Sequence, residues 1–116
     1  FFYTFDSGDG AWMSSEFFSG GMMPSDDLYL AYQQDLQLVE RWTVSGEHYA
    51  KTLRAWLDRL DRQRRDVLQL FETVPGIGDA KRAIQRWRLF FMGCEESFAY
   101  EGGAQWRVGH YLFKPK

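Results

Sequence analysis

The sequence predicts an α/β fold in the order strand–helix–helix–strand, after an irregular aromatic start. It also predicts that this order is one piece of a larger sheet. Three observations carry the expectation. Residues 36–44 and 106–113 alternate with the two-residue period of a strand. The stretch between them holds two runs with the period of an amphipathic helix. And two strands set apart by helices do not form a stable sheet without neighbours, so further strands are required.

In chain order, residues 1–25 are rich in aromatic, Gly and Ser residues. Phe1, Tyr3 and Phe5 alternate as the end of a strand does, and Asp6-Ser7-Gly8-Asp9-Gly10 is a turn signal. Gly20-Gly21 and Pro24 break the chain again. Ser25, Asp26 and Asp27 have the character of a helix start, ahead of Leu28, Leu30, Ala31 and Tyr32. In the strand 36–44, Leu36, Leu38, Trp42 and Val44 share a face, with Glu40 the exception. Val39, Arg41 and Thr43 form the other face, and Ser45-Gly46 ends the strand. A long helix is expected from Glu47 to Phe71. Tyr49, Leu53, Trp56, Leu57, Leu60, Val67, Leu68 and Phe71 follow the helical spacing, with Arg64 the one polar interruption. Its charged face offers Arg54–Asp58, Asp58–Arg62 and Asp61–Arg65 at i,i+4. Pro75-Gly76 and Gly78 form a loop. Asp79 caps a second helix that runs to about Phe98, with Ala83, Ile84, Trp87, Phe90, Phe91, Cys94 and Phe98 inward. Gly102-Gly103 turns the chain into a last strand, where Trp106, Val108, His110 and Leu112 alternate with Arg107, Gly109, Tyr111 and Phe113.

The 116 residues suffice for one domain and one core. Aromatics make up 18%, a load that must be buried, covered by a partner, or set around an apolar cavity. Fourteen basic against 16 acidic residues exclude the unbalanced basic face of a nucleic-acid binder. One cysteine, Cys94, excludes an internal disulfide framework and suits a reducing compartment, so a cytoplasmic location is expected. No apolar run approaches a membrane-spanning helix and no signal peptide is visible. The chain opens on Phe1, and the simplest expectation is a natural start further upstream.

Candidate chemistry is sparse. Gly20-Gly21, Gly76-x-Gly78 and Gly102-Gly103 lack the spacing and setting of a phosphate loop and read as turns. His48, His110, Cys94 and scattered acids have no metal-ligand spacing. Cys94 lies on an apolar helix face, where a small core residue is favoured over a nucleophile. Arg59, Arg62, Arg64 and Arg65 interleave with Asp58, Asp61 and Asp66, which favours a solvated face over contact with a membrane surface. Met22 and Met23, near Phe17 and Phe18, fill either a core or an adaptable pocket, the core being favoured. Tyr49 sits in the first turn of the long helix. It is either a packed core tyrosine, the plainer reading, or a phenol presented to a cavity.

Three segments carry a resemblance. Phe17-Phe18-Ser19-Gly20-Gly21-Met22-Met23-Pro24-Ser25 resembles the F-x-G-G-x-[LM]-P-S segment of the cyclopropane fatty acid synthase family. His48-Tyr49-Ala50-Lys51-Thr52-Leu53-Arg54-Ala55-Trp56 resembles its HYAxTLxxW helix start. Arg86-Trp87-Arg88, Gly93-Cys94, Glu96 and Phe98 resemble its later helix, and Val108 to Phe113 its last strand. The resemblance implies the C-terminal part of a seven-stranded Rossmann-like methyltransferase, spanning residues 1–116 on the substrate side. It implies S-adenosylmethionine as methyl donor and the double bond of an unsaturated phospholipid acyl chain as acceptor, hence lipid biosynthesis. It also implies that Tyr49 helps hold a bicarbonate that takes the proton lost on ring closure. This reverses the preference for a plain core tyrosine. Phe18, Met23, Leu53, Phe90 and Cys94 are the implied lining of an apolar acyl tunnel, where a cation forms away from water.

The family's glycine-rich cofactor loop, ribose-binding acid and Cys, Glu and His bicarbonate ligands have no counterpart in this sequence. The chain alone is therefore expected neither to bind the cofactor well nor to catalyse transfer. The Phe98-x-Tyr100 and Trp106–Phe113 pattern also resembles plant coclaurine N-methyltransferases, which implies a small amine as the alternative acceptor. A third expectation is non-catalytic: self-association through aromatic surface and open strand edges. Peripheral membrane contact goes with the lipid reading.

Overall fold

The structure is a computed structural model that describes Met13, residues 16–18 and residues 24–116. The expected strand at Phe1–Phe5, the turn at residues 6–10, Gly20-Gly21, Met22 and Met23 lie outside the described residues. The chain divides into two compact units, Phe1–Trp42 with Gly109–Lys116, and Thr43–Val108.

Two strands, β1 (Leu36–Val44) and β2 (Val108–Pro115), form a two-stranded antiparallel sheet. Its direction follows from two contacts in the first unit. The Lys116 amide donates to the Asp35 carbonyl at 3.1 Å. Seven residues further along, the Trp42 ring stacks on His110 at 5.3 Å and 18°. The numbers climb on one strand as they fall on the other. β1 has the expected bounds, whereas β2 begins at Val108 and leaves Trp106 in the preceding turn. The expected inward face of β1 is only partly covered. Leu38 and Val44 are half-buried, while Leu36 and Trp42 are exposed. Among the described residues of the first unit the sheet has no second layer that could bury them.

The helix expected from Ser25 onward is a single 3-10 turn, Leu28–Ala31. The Ser25 hydroxyl bonds to the Asp27 carboxylate, which holds Asp27 below its ordinary pKa. A hydroxyl spent on a side chain does not cap backbone amides, and Asp27 makes no side-chain cap either. The turn serves the sheet instead. Tyr29 lies edge-on to Tyr111 at 4.9 Å and to Phe113 at 5.9 Å. The Tyr111 hydroxyl and Arg41 Nη1 both donate to the Asp26 carbonyl, at 2.9 and 3.1 Å.

The second unit is helical: α1 (Gly46–Arg62), α2 (Arg64–Thr73) and α3 (Ala80–Ala99), followed by a 3-10 turn at Tyr100–Gly103. The expected long helix is thus two helices. The break is at Gln63 (φ −99°, ψ 18°), whose amide reaches back to the Arg59 carbonyl. It falls beside Arg64, the polar interruption in the apolar stripe, and Arg59 and Arg62 suit the helix C-terminus that it creates. α3 starts as expected, with the Asp79 carboxylate accepting from the Lys81 and Arg82 amides at 2.9 and 3.2 Å.

α1 packs along α3, and α2 packs on α3 less extensively. The pairing is antiparallel. Tyr49 meets Phe98, Arg54 meets Glu95, Trp56 meets Phe91 and Asp61 meets Arg88. Arg54 and Asp61 therefore pair across helices rather than with the expected Asp58 and Arg65. A carboxylate or guanidinium held in place by packing costs less entropy to engage than a free one on the same helix. The buried apolar residues are Ala50, Leu53 and Leu57 of α1 with Ala80 and Ile84 of α3. Among the described residues no helix is long and apolar enough to cross a membrane.

Truncating Ile84, 1% exposed, should cost about 2–5 kcal/mol in Ile84→Ala. Truncating Leu89, 52% exposed on the same helix, should stay within about 0.5 kcal/mol. Thermal melting of the two variants side by side tests whether the α1–α3 seam holds the unit together.

Candidate functional site

The site grows from the start of α1. The Ser45 side chain accepts from the Glu47 amide at 3.3 Å and donates to the Gly102 carbonyl at 3.3 Å. That cap fixes the first helical turn and sets Tyr49 toward the last turns of α3. The Tyr49 ring stands edge-on to Phe98 at 4.6 Å and to Trp56, two turns along α1, at 6.0 Å. Phe98 meets Trp106 at 5.8 Å. Trp56 meets Phe91 at 6.0 Å, and Phe91 meets Trp87 and Phe90 at 5.7 and 6.0 Å. These rings form a continuous ladder along the seam of α1 and α3. Edge-to-face pairs of this kind add to simple burial. Tyr49, Phe98 and Trp106 are half-buried, whereas Trp56 in the middle is 45% exposed and Trp87 at the far end 38% exposed, so the ladder is covered around Tyr49 and opens beyond it.

The polar content is small. Burial raises the Tyr49 phenol above its ordinary pKa, and the neighbouring Cys94 thiol adds a smaller push in the same direction. Burial raises Cys94 as well. Both are neutral at neutral pH, so Cys94 is a poor nucleophile and Tyr49 is a hydrogen-bonding group rather than a base. The Tyr49 hydroxyl makes no hydrogen bond to a described residue. Glu95, a carboxylate on the seam, is engaged by Arg54 Nε at 2.9 Å. Among the described residues no group of His, Cys, Asp or Glu could hold a metal ion. The arrangement can pack a flat or apolar molecule, attract positive charge over ring faces, and offer one neutral hydroxyl.

Of the residues expected from sequence, Tyr49, Leu53, Phe90 and Cys94 all fall on the α1–α3 pair. Tyr49 and Cys94 are close enough to influence each other, and Phe90 joins the ladder through Phe91. Leu53 is fully buried, its side chain taken up in helix packing. Phe18 is exposed and belongs to the other unit, and Met23 lies outside the described residues. Sequence reasoning missed Trp56, Phe98 and Trp106 as neighbours of Tyr49. The signal for Trp56 was its place seven residues after Tyr49, on the same face.

A nucleotide cofactor needs open backbone amides where a strand enters a helix. The junction between β1 and α1 is closed. Gly46 is buried, and the carbonyl oxygens of Phe98 and Trp106 occupy the space that a Cβ would fill there. Filled by backbone in this way, the junction has no room for such a cofactor.

The profile of the family described as mycolic acid cyclopropane synthetase matches residues 3–106. The chain is 36% identical over 109 residues to (S)-coclaurine N-methyltransferase of Thalictrum flavum subsp. glaucum, covering 90% of this chain and 30% of that protein. It is 31% identical over 123 residues to (S)-tetrahydroprotoberberine N-methyltransferase of Eschscholzia californica, covering 97% and 35%. A crystal structure of coclaurine N-methyltransferase bound to N-methylheliamine and SAH superposes with a TM-score of 0.79 at 34% identity, covering 98% of this chain and 34% of that one. The chain spans about a third of the length of these relatives. The mixed α/β arrangement is that of part of a Rossmann-like methyltransferase fold.

The raised acids predict an alkaline limit. An acid whose folded pKa is raised binds its proton more tightly in the folded state. The stability this contributes is complete below the unfolded pKa and is lost as pH rises through the folded one. Cys94 should begin the loss above its ordinary 9.0 and Tyr49 above its ordinary 10.0. Melting temperatures between about pH 8 and about pH 11 should therefore decline less in Cys94→Ala and in Tyr49→Phe. An unchanged slope in both variants would assign the decline to other groups.

Proposed function

The chain belongs to the mycolic acid cyclopropane synthetase family, and from that premise we propose that it forms the acceptor-side part of an S-adenosylmethionine-dependent methyltransferase acting on a small aromatic amine. One observation carries the choice of acceptor: the solved relative that superposes over 98% of this chain is bound to N-methylheliamine and SAH. The ring ladder supports it, because aromatic walls suit a flat amine and favour the positive charge that an amine gains on methylation.

S-adenosylmethionine supplies an electrophilic methyl group when bound. The closed β1–α1 junction leaves it no room, and the proposal assigns its binding to residues other than those of this chain. The work of this chain is to hold the acceptor. Phe90 with the other ladder rings packs the acceptor body and keeps water away. Tyr49 offers its neutral hydroxyl as an orienting hydrogen bond. Cys94 provides a small, uncharged wall beside it. Leu53 acts from the core, setting the spacing of the helices that carry these groups.

The family description favours a second acceptor, the double bond of an unsaturated acyl chain. In that reading the rings line an acyl tunnel and Tyr49 helps to hold bicarbonate. Both readings use the same side chains and differ in what enters.

Mass spectrometry separates them. The full-length protein is incubated with S-adenosylmethionine and either a coclaurine-type secondary amine or unsaturated phospholipid vesicles. The amine should gain one methyl group. Tyr49→Phe should lower kcat/KM for the amine about tenfold, the loss of roughly one hydrogen bond. A one-carbon gain on the lipid alone would transfer the assignment to the acyl reading, and no gain on either would sink both.

A further inference from the structure

We propose that Gly46 and Gly103 are positioning residues, an interlocked pair that seats the start of α1 under the end of α3 and so places Tyr49 in the acceptor site. The inference rests on the reading of Tyr49 given above for its link to activity, but its geometry stands alone. Both glycines are buried. A methyl group at Gly46 would run into the carbonyl oxygens of Phe98 and Trp106, which are backbone atoms with little room to yield. A methyl group at Gly103 would meet the Glu47 amide nitrogen, the Ser45 Oγ at 2.5 Å and the Gly46 nitrogen at 2.8 Å. Gly103 also has φ +76°, which favours glycine on its own account. Each glycine therefore faces the backbone of the other's segment, and Ser45 ties the two by bonding both Gly102 and Glu47.

The residues that close over Gly46 are the residues that surround Tyr49. Phe98 and Trp106 press their carbonyls on Gly46, and the Phe98 ring packs against Tyr49 while Trp106 packs against Phe98. Tyr49 follows Gly46 by less than one helical turn. A wedge at either glycine would shift the first turn of α1 relative to Phe98, and the phenol would move with it. Gly76 provides the contrast. It also has positive φ, +88°, but nothing lies within 4 Å of the space a Cβ would fill.

The test uses the full-length protein, with kinetics on the amine and near-ultraviolet circular dichroism of the aromatic rings. Gly103→Ala and Gly46→Ala should lower kcat by about tenfold to a hundredfold, since a displacement near 1 Å at a reacting centre has that effect, with KM for S-adenosylmethionine unchanged. Both should change the near-ultraviolet spectrum, and Gly76→Ala should change neither. A folded Gly103→Ala protein that melts earlier yet keeps its kcat and spectrum would reduce the pair to a structural role and overturn the proposal. Should both glycine variants fail to fold, Ser45→Ala decides: a fall in kcat with an altered spectrum supports the joint, and no change in either overturns it. Should Tyr49→Phe prove fully active, the failure lies with the reading of Tyr49. The spectrum of Gly103→Ala then decides the joint by itself, altered in support and unaltered against.

Discussion

The antiparallel packing of α1 on α3 is the constraint from which the rest of the helical unit follows. It brings Tyr49 to Phe98 at one end and Asp61 to Arg88 at the other, residues far apart in sequence. The apolar material holding it is thin. Leu53 and Ile84 are fully buried, Leu57 nearly so, and two smaller contributions come from Ala50 and Ala80. A core of that size leaves little margin against the entropy of folding, as is usual for small units. The two cross-helix ion pairs add register more than energy, because exposed pairs contribute little. Arg88 shows how register is read. Its Nη2 donates to Asp61 Oδ2 at 3.0 Å, while its Nε lies 2.8 Å from Oδ1 without hydrogen-bonding alignment.

The elements were legible where local chemistry decided them. β1 carries a clear alternation, and Asp79 ahead of an apolar periodic run announces α3 and its cap. The break at Gln63 was not legible, since no Gly or Pro marks it and the apolar period continues across it. The 3-10 turn at Leu28–Ala31 was misread for a related reason. A Ser-Asp-Asp string promises a cap, but whether the hydroxyl bonds to a backbone amide or to a carboxylate is settled in three dimensions. At the site, the helical faces placed Tyr49, Leu53, Phe90 and Cys94 on one seam. Which rings enclose Tyr49 depended on the antiparallel register, a long-range property that no window of sequence contains. Of the closed glycine pair, sequence shows Gly46 only as a strand end and Gly103 only as part of a turn, because spacing alone cannot show what a backbone lies against.

A neutral phenol among aromatic rings is a permissive site. It supplies shape, apolar cover and one hydrogen bond, and it dictates no single reaction. Under the proposed function, such a site would take either a lipid chain or an alkaloid amine, the chemistries that the family profile and the relatives are named for. The choice of acceptor would then fall to the openness of the site and to groups that meet it from elsewhere. The exposed rings of the ladder, Trp56 and Trp87, are where such groups would act.

The break at Gln63 divides the helical unit into parts of unequal tenacity. α2 contains no buried residue and leaves Leu70 57% exposed, so its hydrogen bonds lie under little apolar cover. Local opening of such a segment costs less than global unfolding. Because Gln63 already interrupts the helical ladder, α2 can fray without unwinding α1. The amides of α2 would then exchange with solvent ahead of those around Leu53 and Ile84, and the turn bearing Tyr49 would be insulated from that breathing.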